Sequence, residues 1–138
     1  MSKIIIYEDE FFEFYKIDKD QIHIATKSKE IQEVNDSIPN EEKLKRIDIL
    51  LDYFYNFWVY VKQSNDKTMY TFNFDINLIM IQVSLPYFIK VKDTLGSVRE
   101  MLITNLKETN IIIKNNLAKY FFDFIFTIYK PIKPVHII

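Results

Sequence analysis

The chain has no cysteine and one glycine among its 138 residues. Without cysteine there is no disulfide, no thiolate metal site and no cysteine nucleophile. A lone glycine, Gly96, cannot build the loops that cradle phosphate in dinucleotide-binding or P-loop proteins, so nucleotide chemistry by those routes is excluded and no cofactor is expected. An excess of charge of one sign is also missing: 18 Lys and Arg face 19 Asp and Glu, a net charge of -1. That balance provides no long-range field to gather a phosphate backbone or an anionic lipid surface, so nucleic acid is not an expected partner. No apolar run approaches the ~20 residues that a membrane-spanning helix needs. The best run, "FFDFIFTIY", is short and interrupted by Asp123, so no membrane span is expected. The N-terminus "MSKIIIYEDEFFEF" has one Lys followed by acids and no small-residue cleavage site. It is unlike a signal peptide, and a cytoplasmic location is the expectation.

What is present is apolar and aromatic. Hydrophobic residues make up 49% and aromatic residues 16% of the chain, well above the composition of disordered segments. The length fits a single domain over 1–138, able to bury roughly 70% of the surface that the unfolded chain exposes.

The first part reads as strands. "KIIIY" (Lys3 to Tyr7), "FFEFYKI" (Phe11 to Ile17) and "IHIA" (Ile22 to Ala25) are β-branched and aromatic, and "DKDQ" between the last two has the composition of a tight turn, which predicts an antiparallel hairpin across Asp18 to Gln21. Thr26 to Pro39 is polar and reads as a connection or short helix. Asn40 then has the character of an N-cap, with Glu41 and Glu42 at the positive end of a helix dipole. Behind it Leu44, Ile47, Leu51, Phe54, Trp58 and Val61 recur at spacings of three and four, a single stripe of core contacts.

"TMYTFNFDI" (Thr68 to Ile76) predicts a strand with Tyr70, Phe72 and Phe74 on one side. Pro86 suits the first turn of a helix, and Val91, Leu95, Val98, Leu102 and Leu106 continue it at helical spacing. Gly96 and the capping-box form of "SVRE" (Ser97 to Glu100) divide that segment into two pieces. "TNIIIK" (Thr109 to Lys114) reads as a buried strand and "KPVHII" as a last one.

Between these lies "NNLAKYFFDFIFTIYK", for which two readings compete. As a strand, Tyr120, Phe122, Phe124, Phe126 and Ile128 share a face, and Asn115 with Asn116 turn a hairpin back from "NIIIK". As a helix, Leu117, Tyr120, Phe121, Phe124, Ile125 and Ile128 form the apolar stripe, with Lys119, Asp123 and Thr127 opposite. The helix is favoured, because the Asn pair offers a cap, Pro131 ends helical geometry at Lys130, and the run exceeds a common strand in length. The resulting alternation predicts an α/β fold: a single mixed sheet of about 4–6 strands, an N-terminal antiparallel hairpin and about three packed helices.

"FDINLIMIQVSLPYF" and this order of elements together resemble the STAS-like fold of the sulfate transporter and anti-sigma factor antagonist domains. In that family a strand ends in an Asp-containing apolar segment, and the following loop carries an Asp-Ser-Ser-Gly cassette whose serine is phosphorylated at a helix N-terminus. Asp75 matches the strand-end Asp and Ser84 the cassette serine, whereas neither the cassette's acid nor its glycine stands beside Ser84. The resemblance implies a regulatory interaction module, with Ser84 as the candidate phosphorylation site.

Other chemistry is sparse. His23 and His136 sit in expected strands flanked by isoleucine, without Asp or Glu at ligand spacing, and read as structural or surface histidines, so no metal is expected. Glu8, Asp9, Glu10 and Glu13 offer carboxylates, but an acidic run near a terminus reads as a solvated turn. No nucleophile, base and orienter assemble into a catalytic set, so no enzymatic activity is expected. Phe122, Phe126 and Tyr129 lie off the main apolar stripe of the last helix and form the candidate interface, for a protein partner or for a homodimer. The sequence thus predicts a non-enzymatic protein-protein interaction module, or alternatively a binder of lipid or another small apolar ligand in a pocket between "LIMIQVSLPYF" and the aromatic helices.

Overall fold

A computed structural model describes residues 3–27, 40–75, 85–112, 119–120, 123–124, 126–127 and 130–138. Along the chain run β1 (Lys3–Glu8), β2 (Phe12–Ile17), β3 (Gln21–Thr26), α1 (Asn40–Gln63), β4 (Tyr70–Asp75), α2 (Leu85–Ser97), α3 (Arg99–Asn105), β5 (Leu106–Ile112) and β6 (Val135–Ile137). The strands form one six-stranded sheet in the order β1-β2-β3-β4-β5-β6. β1, β2 and β3 are antiparallel neighbours, and β4, β5 and β6 are added in parallel. This is the α/β fold with an N-terminal hairpin that the sequence pattern predicts.

The turns follow from local chemistry. Between β1 and β2, Asp9 Oδ1 accepts hydrogen bonds from the backbone N–H of Phe11 (2.7 Å) and Phe12 (2.8 Å), an aspartate folding its own turn. Asp18 takes φ 58° between β2 and β3, a left-handed conformation that Asp tolerates better than most residues. At the end of α1, Asn65 is left-handed (φ 54°). Its N–H reaches Lys62 O (3.2 Å), and that of Asp66 reaches Val61 O (3.1 Å), the bond pair that closes a helix with a Schellman motif.

Each parallel crossover steps one strand further in the same direction, and right-handed crossovers of that kind all fall on one side of the sheet. The core lies between α1 and the sheet. Leu50, Phe54, Phe57, Trp58 and Val61 of α1 are buried against Phe14, Ile22, Tyr70 and Phe72, and Val98, Leu102 and Leu106 join the same cluster; Ile47 is buried as well. The buried stripe differs from the expected one: Leu50 and Phe57 belong to it, Leu51 is half-buried, and the side chain of Leu44 is outside the described ones. Phe57 explains the rotation, since its ring meets Phe14, Trp58, Tyr70 and Phe72 at centroid distances of 5.1–5.6 Å.

α2 and α3 are two pieces, as expected, but the capping box does not form. Val98 stands between them at φ -112°, ψ 13° without a side-chain cap, and Ser97 Oγ donates to Thr94 O at 2.7 Å instead. The buried Val98 side chain is held in the core, so packing sets the break. Leu106, expected to continue the helical stripe, is the first residue of β5. In the tail, residues 119–120, 123–124 and 126–127 are helical, and Thr127 Oγ1 donates to Asp123 O, four residues back, at 2.8 Å.

Two tyrosines, half-buried Tyr53 and buried Tyr70, anchor the layers. Tyr53 donates its hydroxyl to Asp9 Oδ2 at 2.7 Å, tying α1 to the β1–β2 turn, and Tyr70 donates to Asp66 Oδ2. Burial first, and then the carboxylate partner, pushes Tyr70 from an ordinary 10 up to about 12, and the same causes raise Tyr53. A raised tyrosine favours the folded state while the phenol is protonated, so that contribution is whole below pH 10 and drains away as the pH climbs toward 12. Urea midpoints are expected to fall over that interval. Tyr53→Phe and Tyr70→Phe should each cost about 0.5–1.5 kcal/mol at neutral pH and show a smaller alkaline loss than the wild type. An equal alkaline loss in all three proteins would contradict this assignment.

Candidate interaction surface

The two faces of the sheet differ. Away from the helices, Tyr15, His23, Asn73, Asn110 and His136 stand in one register row across β2 to β6. Tyr15 and His23 stack at 5.2 Å with their planes 7° apart. Asn110 Nδ2 donates to Asn73 Oδ1 (3.0 Å), and Asn73 Nδ2 donates to Gln21 Oε1 (3.2 Å). His136 Nε2 lies 3.2 Å from Glu108 Oε2, while Lys3 pairs with Glu13 at 2.6 Å and sits over the Tyr15 ring. Burial lowers the His23 pKa below its ordinary value, which leaves a neutral ring at pH 7. These side chains satisfy one another across the strands, so the row stabilises the sheet.

A second feature lies at the sheet edge. Lys119, Asp123, Phe126 and Thr127 of the tail and Pro131, Val135 and Ile137 at β6 enclose a groove of about 420 Å³. No described residue of β5 lines it, so it runs along the outer strand. The helical residues therefore turn toward β6 the side that carries Lys119, Asp123 and Thr127, together with half-buried Phe126. Tyr120 and Phe124, one turn apart and expected in the core stripe, are 73% and 63% exposed. That expectation is corrected here. Aromatic residues occupy almost the whole circumference of the helix and leave only a narrow polar face, so periodicity alone does not select which side meets the sheet.

No family model, curated protein or solved structure matches the chain. Its chemistry is therefore read from its own residues. Of the candidate interface, Phe126 lies in the groove wall, whereas Phe122 and Tyr129 are outside the described residues. Ser84 is outside them too, as is most of the segment expected to wall an apolar pocket. Asp75 is the last residue of β4. Of the acidic run, Asp9 caps a turn, Glu8 pairs with Lys27 (3.0 Å) and Glu13 with Lys3. Among the described residues no group of three or more His, Cys, Asp or Glu is placed to hold a metal ion, and no helix is long and apolar enough to cross a membrane. Sequence reasoning missed the edge groove, although the pattern Pro131, Pro134 and "VHII" signals an outer strand.

Proposed function

We propose that this chain is a non-enzymatic interaction or regulatory module with a STAS-like sheet-and-helix architecture, docking on a second copy of itself or on another protein. The observation that supports this reading is the exposure of Tyr120 and Phe124 beside the edge groove. Large aromatic side chains standing out of one side of a helix are costly in water and are favoured at the buried centre of interfaces. Sedimentation of the wild type at high micromolar concentration is expected to give a dimer, and the Tyr120→Ser/Phe124→Ser double variant a monomer with an unchanged far-ultraviolet circular dichroism spectrum. A monomeric wild type at that concentration removes self-association. If, in addition, the double variant retains every heterologous contact detected by cross-linking in cells, the helix side is not the docking surface.

A further inference from the structure

The free side of β6 has the chemistry to receive another strand. Thr109 N donates to Pro134 O (3.0 Å) and Ile138 N to Ile111 O (2.9 Å). With Thr109↔Val135, Asn110↔His136 and Ile111↔Ile137 in register, those bonds turn the backbone of Pro134, His136 and Ile138 toward β5. Alternation along a strand then points the N–H and C=O groups of Val135 and Ile137 away from the sheet. β6 ends the strand order, so among the described residues these donors and acceptors have no strand partner. Spaced in this way, they fit the backbone of an extended chain.

Val135 and Ile137 also form the sheet-side wall of the groove, opposite Phe126. In a strand laid along β6, the residues opposite Val135 and Ile137 share their face, so alternate side chains of the incoming segment fall over the groove. Charge narrows the choice further. Lys119 on the groove wall, and Lys130 and Lys133 beside Pro131 and Pro134, have no ion-pair partner among the described residues. Asp123 is the one acid among the described residues lining the groove. Glu108 faces His136 on the other side of the sheet, so among the described residues the groove side of the edge is basic in a chain whose net charge is -1.

We infer that the free edge of β6 and the adjoining groove bind an extended acidic segment of a partner protein as an added strand, with apolar residues at alternate positions over the groove and acidic residues flanking them. This rests on the interaction-module reading and supplies the chemistry of the partner. Backbone bonds give such a complex its affinity, the groove fixes which alternate positions are apolar, and the lysines set the sign of the charge.

The test uses fluorescence anisotropy with two labelled synthetic peptides of equal length, both alternating apolar with polar residues, one flanked by Glu and the other by Lys. The wild type is expected to bind the acidic peptide at least about tenfold more tightly than the basic one. Ile137→Pro removes a backbone N–H that points away from the sheet, a replacement that an edge strand accepts, and also trims the groove wall. It should weaken the acidic peptide by about tenfold or more while thermal unfolding stays cooperative. Lys130→Glu/Lys133→Glu, on an exposed and a half-buried lysine, covers the case in which the proline variant fails to fold, and should invert the preference in favour of the basic peptide.

Equal binding of both peptides, binding unaffected by both variants, or binding of neither peptide overturns the inference. In the last case a wild-type dimer that Tyr120→Ser/Phe124→Ser dissociates would leave the interaction-module reading standing. A dimer dissociated by Ile137→Pro would instead assign the edge to a second copy of this chain.

Discussion

Phe72→Ala is expected to lower the free energy of unfolding by about 3–5 kcal/mol, and the midpoint temperature by on the order of 10–20 °C. Phe72 is 0% exposed, and its ring meets Phe14 at 6.0 Å, Phe54 at 5.2 Å, Phe57 at 5.4 Å, Trp58 at 5.4 Å and Phe74 at 5.8 Å. It is the point where β2 and α1 converge on β4. Removing it costs the transfer energy of a phenyl group and leaves a cavity whose walls are planar rings tilted or edge-on to one another, which cannot slide inward without losing their own contacts. Domains of this size are stable by only about 5–15 kcal/mol, so this single change takes away a large share of the total. Phe72→Leu keeps much of the volume and should cost about 1–2 kcal/mol. Urea unfolding followed by Trp58 fluorescence measures both, and a loss below ~1 kcal/mol for the alanine variant would mean that the aromatic cluster is not the core.

Asn105 should give the second large effect. Its side chain is 5% exposed, and Nδ2 donates to the carbonyls of Asp66 (2.8 Å) and Thr68 (3.0 Å). One amide thus holds the connection between α1 and β4 against the end of α3, and with it the place where the long helix is delivered onto the sheet. Asn105→Ala leaves two carbonyl groups without their donor, at about 2–4 kcal/mol. Asn105→Asp keeps the shape but turns a carboxylate oxygen toward two carbonyl oxygens, and is expected to be worse than alanine at neutral pH. Protonation restores one donor, and the unfavourable setting raises the carboxyl pKa in the folded state. The aspartate variant should therefore be most stable in acid and lose stability as the pH rises through the carboxylate range. Equal destabilisation by Ala and Asp at neutral pH would show that the amide is not directed at these carbonyls.

These two residues also mark what local pattern does and does not convey. Phe72 was legible: alternation in "YTFNFD" puts Tyr70, Phe72 and Phe74 on one side, and the structure buries that side. Asn105 carried no signal, because a polar residue at the end of a helix is ordinary until its partners, some 37–39 residues earlier in the chain, are brought to it. The edge groove is of the same kind. It needs tail helix and β6 side by side, and no window of sequence contains their spacing.

By itself the sequence determined most of the element types and their order: the hairpin, the long amphipathic α1, the break near Gly96 and the final strand, and for the tail it favoured a helix over a strand. Each rests on interactions between near neighbours, such as period, capping acids and turn-forming Asp, which exist before the chain folds. Only the tertiary structure decided which way each helix is turned. In α1 the ring of Phe57 pulls the buried stripe toward Leu50. In the tail Phe126 faces β6 while Tyr120 and Phe124 point outward. A helix with apolar residues nearly all round has several burial faces of similar hydrophobic gain, and the choice among them is made by the shape of the surface it meets, which is a property of the whole fold.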